Sequence, residues 1–100
     1  MLGMIRSFRD VGTADIFDGK NTPAARKVCP PTIWKIAARK LDQMDSVTAL
    51  HELNIPPGNR LEALVGDRQG QHSIRINDQY RICFIWKETG PDGVEIVDYH

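Results

Sequence analysis

The chain carries no net charge, no long apolar run and no recognisable export signal, and each absence excludes a class of protein. Thirteen Lys and Arg residues balance thirteen Asp and Glu residues, whereas a domain that coats nucleic acid by charge alone carries a clear basic excess. No apolar run approaches the roughly 20 residues that a membrane-spanning helix needs. Residues 1–6 lack the apolar stretch and cleavage site of a signal peptide. We therefore expect a cytoplasmic protein that has no membrane partner.

Cysteine is scarce, and so are the patterns that hold metals and nucleotides. Only Cys29 and Cys83 are present, the first in a proline-flanked loop and the second in an apolar strand pattern. Two free thiols are expected, because the cytosol disfavours disulfides. No His and Cys spacing matches a zinc site, and Gly66 and Gly70 lack the motif of a loop that binds nucleotide phosphates. We expect neither a metal ion nor a cofactor.

Although the net charge is zero, the amino-terminal part of the chain is basic. Residues 1–41 contain eight Lys or Arg against three Asp, whereas residues 42–58 and 82–100 are each acidic. A basic region of this kind could face RNA or an acidic segment of a partner protein. The alternative is that these side chains merely solvate a helix.

The amino-terminal half has the pattern of one short strand followed by helices. Residues 4–8 alternate like a strand, and residues 10–18 could form a short helix that ends at a glycine. We expect a further helical turn or two at residues 47–53. We expect residues 19–31 to form a loop that is either functional or mobile, because it is long for a compact domain. Residues 32–45 are the most convincing helix, with Thr32 as its cap and one apolar stripe made of Ile33, Ile36, Ala37, Leu41 and Met44.

From Asn59 onward apolar residues recur at every second position, which indicates strands. The alternation predicts strands near residues 61–65, 72–76, 80–87 and 94–99, separated by turns at 66–70, 77–79 and 89–93. Residues 80–87 are apolar on both faces apart from Arg81, as expected of a central strand. The sum is a single α+β domain spanning residues 1–100, in which an N-terminal strand and two helices pack on one face of a mostly antiparallel sheet. The other face is free to carry chemistry.

Four short motifs occur together in the second half of the chain. They are a Gly-x-Arg-x-Gly turn at residues 66–70, a Ser-Ile-Arg strand at 73–75, a Tyr-Arg pair at 80–81 and an Asp-Tyr-His sequence at 98–100. Together with the whole run from 56 to 84 and an Ile-Arg-Ser-Phe sequence at 5–8, they closely resemble the plasmid-maintenance killer, or HigB, family of the RelE and ParE superfamily. The resemblance covers essentially the whole chain and implies a RelE-like fold.

The family that this chain resembles consists of toxins from type II toxin–antitoxin systems. The resemblance implies an endoribonuclease that cuts mRNA, typically on the translating ribosome. It also implies a HigA-like antitoxin with a helix-turn-helix domain, and operator DNA that is contacted only through the complex of the two proteins. Residues 19–31 are basic and poor in apolar groups, so we hypothesise that they become ordered when the antitoxin binds.

The chain departs from some well-known relatives where these carry a His and a Lys on the second strand. Glu62 and Val65 stand near those positions and cannot reproduce the pair. The identity of the general base therefore stays open. The alternative function is that of a non-catalytic toxin of the same fold, which binds a target such as DNA gyrase, as ParE-like relatives do.

Metal-free RNA cleavage needs a base for the 2′-hydroxyl, an acid for the leaving 5′-oxygen and positive charge for the phosphate. Guanidinium groups bind phosphate through paired hydrogen bonds and stay charged. Arg81 stands out because it interrupts an apolar strand, where an unpaired charge is costly; its structural alternative is an ion pair with Asp98 or Glu62. The candidate phosphate ligands are therefore Arg60, Arg68, Arg75 and Arg81.

Two residues are candidates for the acid and the base. His100 is suited to be the acid, since an imidazole titrates near neutral pH, and the apolar strand that leads into it indicates that it is held; the alternative is a frayed tail. Glu62 could be the base, or it could form a salt bridge with Arg60 or Arg81.

The last three candidates have weaker signals. Tyr99 could stack on an RNA base or donate a hydrogen bond, or it could simply pack. Asp98 could orient His100 or pair with Arg81. His72 is a candidate RNA contact, although it shares a strand face with two isoleucines and a packed histidine is the stronger interpretation. The central expectation is that Arg81 and His100 converge on one phosphate at the uncovered face of the sheet.

Overall fold

A computed structural model describes residues 4–88 and 90–99 of the chain. The helices are α1 (Val11–Phe17), α2 (Pro23–Val28) and α3 (Trp34–Ser46), and single 3-10 turns lie at Pro31–Ile33, Leu50–Asn54, Pro57–Asn59 and Gly66–Arg68. The strands are β1 (Glu62–Ala63), β2 (His72–Arg75), β3 (Tyr80–Lys87) and β4 (Gly90–Asp98). The order of elements confirms an α+β fold in which helices precede a meander of strands.

Helix α1 begins where the sequence predicts it, because Asp10 caps it by accepting a hydrogen bond from the Thr13 amide at 2.6 Å. The Thr13 hydroxyl is fully buried and accepts a hydrogen bond from the Ile96 amide at 3.1 Å, which ties the helix to β4. Gly12 lets α1 approach the next helix closely, since a Cβ there would lie 2.4 Å from the carbonyl oxygen of Ala24. Helix α1 is therefore fixed to both the sheet and α2.

The predicted loop over residues 19–31 is wrong, because the segment contains helix α2. Thr22 caps this helix by accepting from the Ala25 amide at 3.0 Å, and Pro23 occupies the first turn, where a missing N–H costs nothing. Ala25 and Cys29 are buried in the core. Six residues are too few to show a helical period, so the capping pair was the only local signal.

Helix α3 agrees with the predicted helix over 32–45 except at its start. Thr32 is not the cap; it lies in the 3-10 turn Pro31–Ile33, and α3 begins at Trp34 without a side-chain cap. Ala37, Leu41 and Met44 are fully buried, as the apolar stripe predicts. Ile36 is 39% exposed and does not belong to the buried stripe.

The four strands form one antiparallel sheet in the order β1-β2-β3-β4, and residues 4–9 run along the outer side of β4. The predicted strand at 4–8 is reduced to one parallel bridge between Phe8 and Val94. The predicted turn at 89–93 is also wrong, since Lys87 pairs with Gly90 and the strand starts there. A register shift between Cys83 and Ile85 lets this longer hairpin form.

The predicted strand at 61–65 forms a ladder only at Glu62 and Ala63. The chain then leaves the sheet, so Leu64 is buried while Val65 is 83% exposed, the reverse of the predicted alternation. The amide of Leu64 still donates to the carbonyl of Gln71 at 2.8 Å. β1 is therefore a very short edge strand.

The sheet has one face covered by helices and one that carries polar groups, because cross-strand partners share a face. Ile74, Ile82 and Ile96 are register partners and pack into the core with α3. Ser73, Cys83 and Glu95 are register partners on the opposite face, which we call the open face. The α+β class is confirmed, whereas the prediction of an uncovered second face stays a prediction, since Ser73 and Cys83 on that face are fully buried.

Candidate functional site on the open sheet face

Arg81 lies on the open face near the start of the central strand β3, and only 8% of it is exposed. Its Nε donates a hydrogen bond to the Ser73 hydroxyl at 2.7 Å, and its Nη2 donates to the carbonyl of Arg60 at 2.7 Å. The same Nη2 forms an ion pair with Glu62 at 3.1 Å. Asp98 and Glu62 are the two predicted ion-pair partners of Arg81, and the structure shows the ion pair with Glu62.

The loop before β1 brings Arg60 and Glu62 to this position. Asn59 is fully buried, and its amide donates to the carbonyl of Leu53 at 3.0 Å and accepts from Lys40 at 2.5 Å. Arg60 then adopts a left-handed conformation (φ 47°), which ends the 3-10 turn and turns its carbonyl toward Arg81. A buried, hydrogen-bonded asparagine thus fixes the place where two acceptors meet Arg81.

Tyr99 closes the site from the end of β4. Its ring centroid lies 5.6 Å from the guanidinium carbon of Arg81, which is within range of a cation–π contact. Its amide donates to the carbonyl of Gln79 at 2.6 Å, so the backbone is held although 45% of the residue is exposed. We call Arg60, Glu62, Ser73, Arg81 and Tyr99 the Arg81 cluster.

Two other predicted site residues lie near the cluster without joining it. Arg75 faces Arg81 across the β2–β3 ladder, and its guanidinium pairs with Asp78 in the following turn. Asp98 is the register partner of Tyr80, so it belongs to the opposite face from Arg81, and it accepts a hydrogen bond from Gln79 at 3.1 Å.

His72 lies on the helix-covered face of β2. Its ring stacks on Phe84 with centroids 6.1 Å apart, and its Nδ1 is buried without a hydrogen-bond partner among the described residues. This placement agrees with a packed histidine and keeps the imidazole away from Arg81.

Arg68 lies elsewhere on the open face, at a shallow cleft of about 340 Å³. Its Nη1 donates to Gln71 at 3.0 Å and reaches the carboxylate of Glu95 at 3.5 Å. Arg9 approaches the same Glu95 oxygen with its Nε at 3.3 Å. We call these residues and the neighbouring Asp67 the arginine cleft.

His100 lies outside the described residues, so the predicted convergence of Arg81 and His100 stays a prediction. The structure does bring Arg60, Glu62, Arg81 and Tyr99 together. Sequence reasoning missed Ser73, because its contact with Arg81 depends on the register of β2 against β3. It also missed Arg9 and Glu95, which lie too far apart in sequence for spacing to connect them.

Both cysteines are free and buried, as expected. Burial raises the pKa of the Cys83 thiol on the open face, and the nearby Arg68 guanidinium offsets this only in part. A thiol of this kind is a poor nucleophile. Within residues 4–88 and 90–99, no three His, Cys, Asp or Glu side chains are grouped so as to hold a metal ion.

Comparison with known families matches residues 6–100 to the family described as RelE-like toxins of the type II toxin–antitoxin system HigB. The chain belongs to this HigB-like toxin family. It is 42% identical over 73 residues to Toxin HigB-1 of Vibrio cholerae, a match that covers 73% of each chain. It is also 40% identical over 58 residues to an uncharacterized protein of Haemophilus influenzae, covering 58% of this chain and 55% of that protein.

The protein is thus a HigB-type toxin, and the family implies an antitoxin partner. Its RelE-like fold agrees with the four-stranded antiparallel sheet and the helices described above. None of the helices in the described part of the toxin is long and apolar enough to cross a membrane.

Proposed function

We propose that the toxin is a cytoplasmic, metal-independent endoribonuclease that cleaves mRNA on the translating ribosome. The observation that carries the proposal is the Arg81 cluster: a nearly buried guanidinium is held on an open sheet face beside an accessible carboxylate and an accessible aromatic ring. Burying a guanidinium is costly unless it is paired and hydrogen-bonded, and Ser73, Arg60 and Glu62 meet that requirement for Arg81.

RNA supplies its own nucleophile, so the protein needs only to move two protons and stabilise charge. Glu62 takes the proton of the 2′-hydroxyl, and the 2′-oxygen attacks phosphorus. The bond to the 5′-oxygen breaks, and that oxygen receives a proton from the imidazole of His100, which follows Tyr99 in the sequence. The products are a 2′,3′-cyclic phosphate and a 5′-hydroxyl. A base and an acid typically contribute about 10²–10⁴-fold each.

Arg81 supports this reaction through charge fixed before the substrate arrives. Ser73 and Arg60 hold its Nε and Nη2, and no hydrogen bond recorded among the described residues uses its Nη1. We propose that this Nη1 edge, on a side chain that is 9% exposed, binds a phosphate oxygen while the rest of the group stays anchored. Charge that needs no reorganisation during the reaction is often the largest catalytic contribution.

Glu62 and Tyr99 have the exposure that a substrate requires. The Glu62 side chain is 57% exposed, so a ribose hydroxyl can reach its carboxylate from solvent. Tyr99 offers a partly exposed ring on which an unpaired RNA base can stack. Arg60 is exposed beside them and can add a second contact to the RNA backbone.

For regulation we propose a HigA-like antitoxin with a helix-turn-helix domain. Its complex with the toxin would contact operator DNA, whereas the toxin alone would not. The support is family membership, together with a zero net charge that disfavours DNA binding by the isolated toxin.

Mapping of RNA 5′ ends in cells that express the toxin tests the proposal. The wild type should create new ends within coding regions, and Glu62→Gln should reduce them by about 10²-fold or more, because the amide cannot act as a base. Gln can still accept a hydrogen bond from Arg81, so the fold is kept. Deletion of His100 should also abolish the new RNA 5′ ends. Arg39→Ala, at an exposed position of α3, is the matched control that should leave them unchanged.

Two results would contradict parts of this proposal. Growth arrest with intact RNA and failed DNA supercoiling would refute the nuclease and favour a toxin that binds gyrase. Undiminished RNA cleavage by Glu62→Gln would instead refute Glu62 as the base.

A further inference from the structure

The arginine cleft of Arg9, Asp67, Arg68, Gln71 and Glu95 is the part of the open face that the Arg81 cluster does not use. It is about 340 Å³ in size. The Glu95 side chain is 17% exposed, and one of its oxygens lies 3.3 Å from Arg9 and 3.5 Å from Arg68. A single carboxylate therefore holds two guanidinium groups side by side at the mouth of the cleft.

These two arginines keep donors free for a ligand. The side chains of Arg9 and Arg68 are 63% and 32% exposed, and each meets Glu95 through one nitrogen. Because Asp67 and Glu95 balance the two arginines, the cleft carries no net charge; what suits it to an oxyanion such as a phosphate is the fixed, planar donors of the guanidinium groups.

The cleft also lies at a useful distance from the proposed reaction centre. Glu95 is the register partner of Cys83, and Cys83 is two residues from Arg81 on β3 with its side chain on the same face. Two residues of a strand span roughly 7 Å, so the backbone position that pairs with Glu95 lies about that far along β3 from Arg81.

We propose that Arg9 and Arg68, held by Glu95, form a second phosphate-binding subsite for single-stranded RNA, next to the phosphate at Arg81. The proposal rests on the proposed ribonuclease function and extends it by naming how the neighbouring nucleotide is gripped. Asp67, exposed at the rim, repels the same phosphate and sets an upper limit on the affinity.

A simple alternative is that the two arginines only tie residues 4–9 to the sheet. The backbone already does this, since the Arg9 amide donates to the carbonyl of Val94 at 2.9 Å and the Val94 amide donates to Ser7 at 3.0 Å. Removing the Arg9 side chain should therefore leave the fold intact. The subsite can be tested without unfolding the protein.

The experiment measures binding of a short fluorescein-labelled RNA that carries 2′-O-methyl groups throughout and cannot be cleaved through the 2′-hydroxyl. Fluorescence anisotropy gives the dissociation constant at several KCl concentrations. Each lost phosphate contact lowers the slope of log affinity against log salt by about 0.7 for a single strand. Arg9→Ala and Arg68→Ala should each show that decrease, so that from 50 to 200 mM salt the wild type loses roughly 2.5-fold more affinity than either variant.

Three further variants sharpen the test. Arg68→Lys keeps the positive charge but loses the planar pair of guanidinium donors. It should therefore keep the slope of log affinity against log salt and weaken binding. Asp67→Asn should tighten binding, because it removes a like charge from the rim. Arg39→Ala, on the helical side, should match the wild type in slope and affinity.

The outcomes separate this proposal from the ribonuclease itself. If the wild type cleaves unmodified RNA while the slopes of Arg9→Ala and Arg68→Ala equal that of the wild type, the subsite is refuted and the nuclease stands. If the 2′-O-methyl RNA is bound with the expected slopes while unmodified mRNA stays intact with programmed ribosomes, the subsite stands and the nuclease is refuted. If the wild type does not bind the 2′-O-methyl RNA, the subsite is refuted, and the nuclease is refuted as well only if unmodified mRNA also stays intact with programmed ribosomes.

Discussion

Ser73 is the residue whose replacement tests most sharply how Arg81 is held. Ser73 is fully buried, and its hydroxyl accepts the hydrogen bond from Arg81 Nε at 2.7 Å. Ser73→Ala removes that acceptor and little else, since the side chain becomes smaller by one oxygen. Water cannot readily replace it, because Arg81 is only 8% exposed.

The magnitude follows from the charge on the donor. A hydrogen bond to a charged group contributes about 1.5–3 kcal/mol, and a buried donor left without an acceptor loses that amount. Ser73→Ala should therefore destabilise the toxin by about 2 kcal/mol, which for a domain of this size lowers the melting temperature by roughly 8–16 °C. Glu62→Gln should cost less than about 1 kcal/mol, because the Glu62 carboxylate is largely solvated and such ion pairs contribute little.

Urea unfolding of the single and double variants provides the assay. In an Arg81→Met background the donor is absent, so Ser73→Ala should cost less than about 0.5 kcal/mol there. The difference between the two backgrounds is the coupling energy of Ser73 and Arg81. In the proposed nuclease, Ser73→Ala should also lower the turnover number more than it raises KM, since it loosens the charge that faces the transition state.

An equal cost of Ser73→Ala in both backgrounds would refute the anchoring role of the hydroxyl. A cost of Glu62→Gln that exceeds that of Ser73→Ala would show that the ion pair, and not the buried hydrogen bond, fixes Arg81.

Three further predictions concern the rest of the fold. Asn59→Ala should lower the free energy of unfolding by about 2–3 kcal/mol, measured by urea titration, because it leaves buried polar groups without partners. A hydrogen bond from Ser7 is the chief cause that holds the pKa of Asp92 below its ordinary value of 3.8. The stability that Asp92 contributes is therefore present above pH 3.8 and is lost as the pH falls through the lowered pKa. Ser7→Ala should reduce this acid-dependent loss of stability, and an unchanged dependence of the unfolding free energy on pH would contradict the prediction. Burial raises the pKa of Cys29 to about 11 and raises that of Cys83 as well. Iodoacetamide at pH 8 should therefore label neither thiol until denaturant is added, as measured by mass spectrometry. Rapid labelling of the native protein would show that these thiols are reactive.

The sequence predicted those parts of the fold that depend on long or strongly patterned segments. The stripe of α3 and the apolar β3 form where periodicity indicates them, and α1 lies within the predicted helix at 10–18. Helix α2 was missed because a six-residue helix shows no period and owes its stability to packing of Ala25 and Cys29 against the core. Tertiary contacts, and not local conformational preference, therefore determine that residues 23–28 are helical.

The site was predicted in part for a similar reason. Residue type and position selected Arg81, Glu62 and Tyr99 as candidates, and the structure brings these three side chains together, while their roles stay predictions. The acceptors Ser73 and the carbonyl of Arg60 could not be identified, because they depend on the register of β2 against β3 and on a left-handed residue in the preceding loop.

The most direct test of the account is product analysis with purified toxin, with and without programmed ribosomes. If the Arg81 cluster catalyses attack by the 2′-hydroxyl, the cut RNA must end in a 2′,3′-cyclic phosphate, and a single 2′-deoxy substitution at the cleaved nucleotide must abolish the cut. Cleavage that persists at the 2′-deoxy position, or RNA that stays intact under both conditions, would contradict the proposed mechanism.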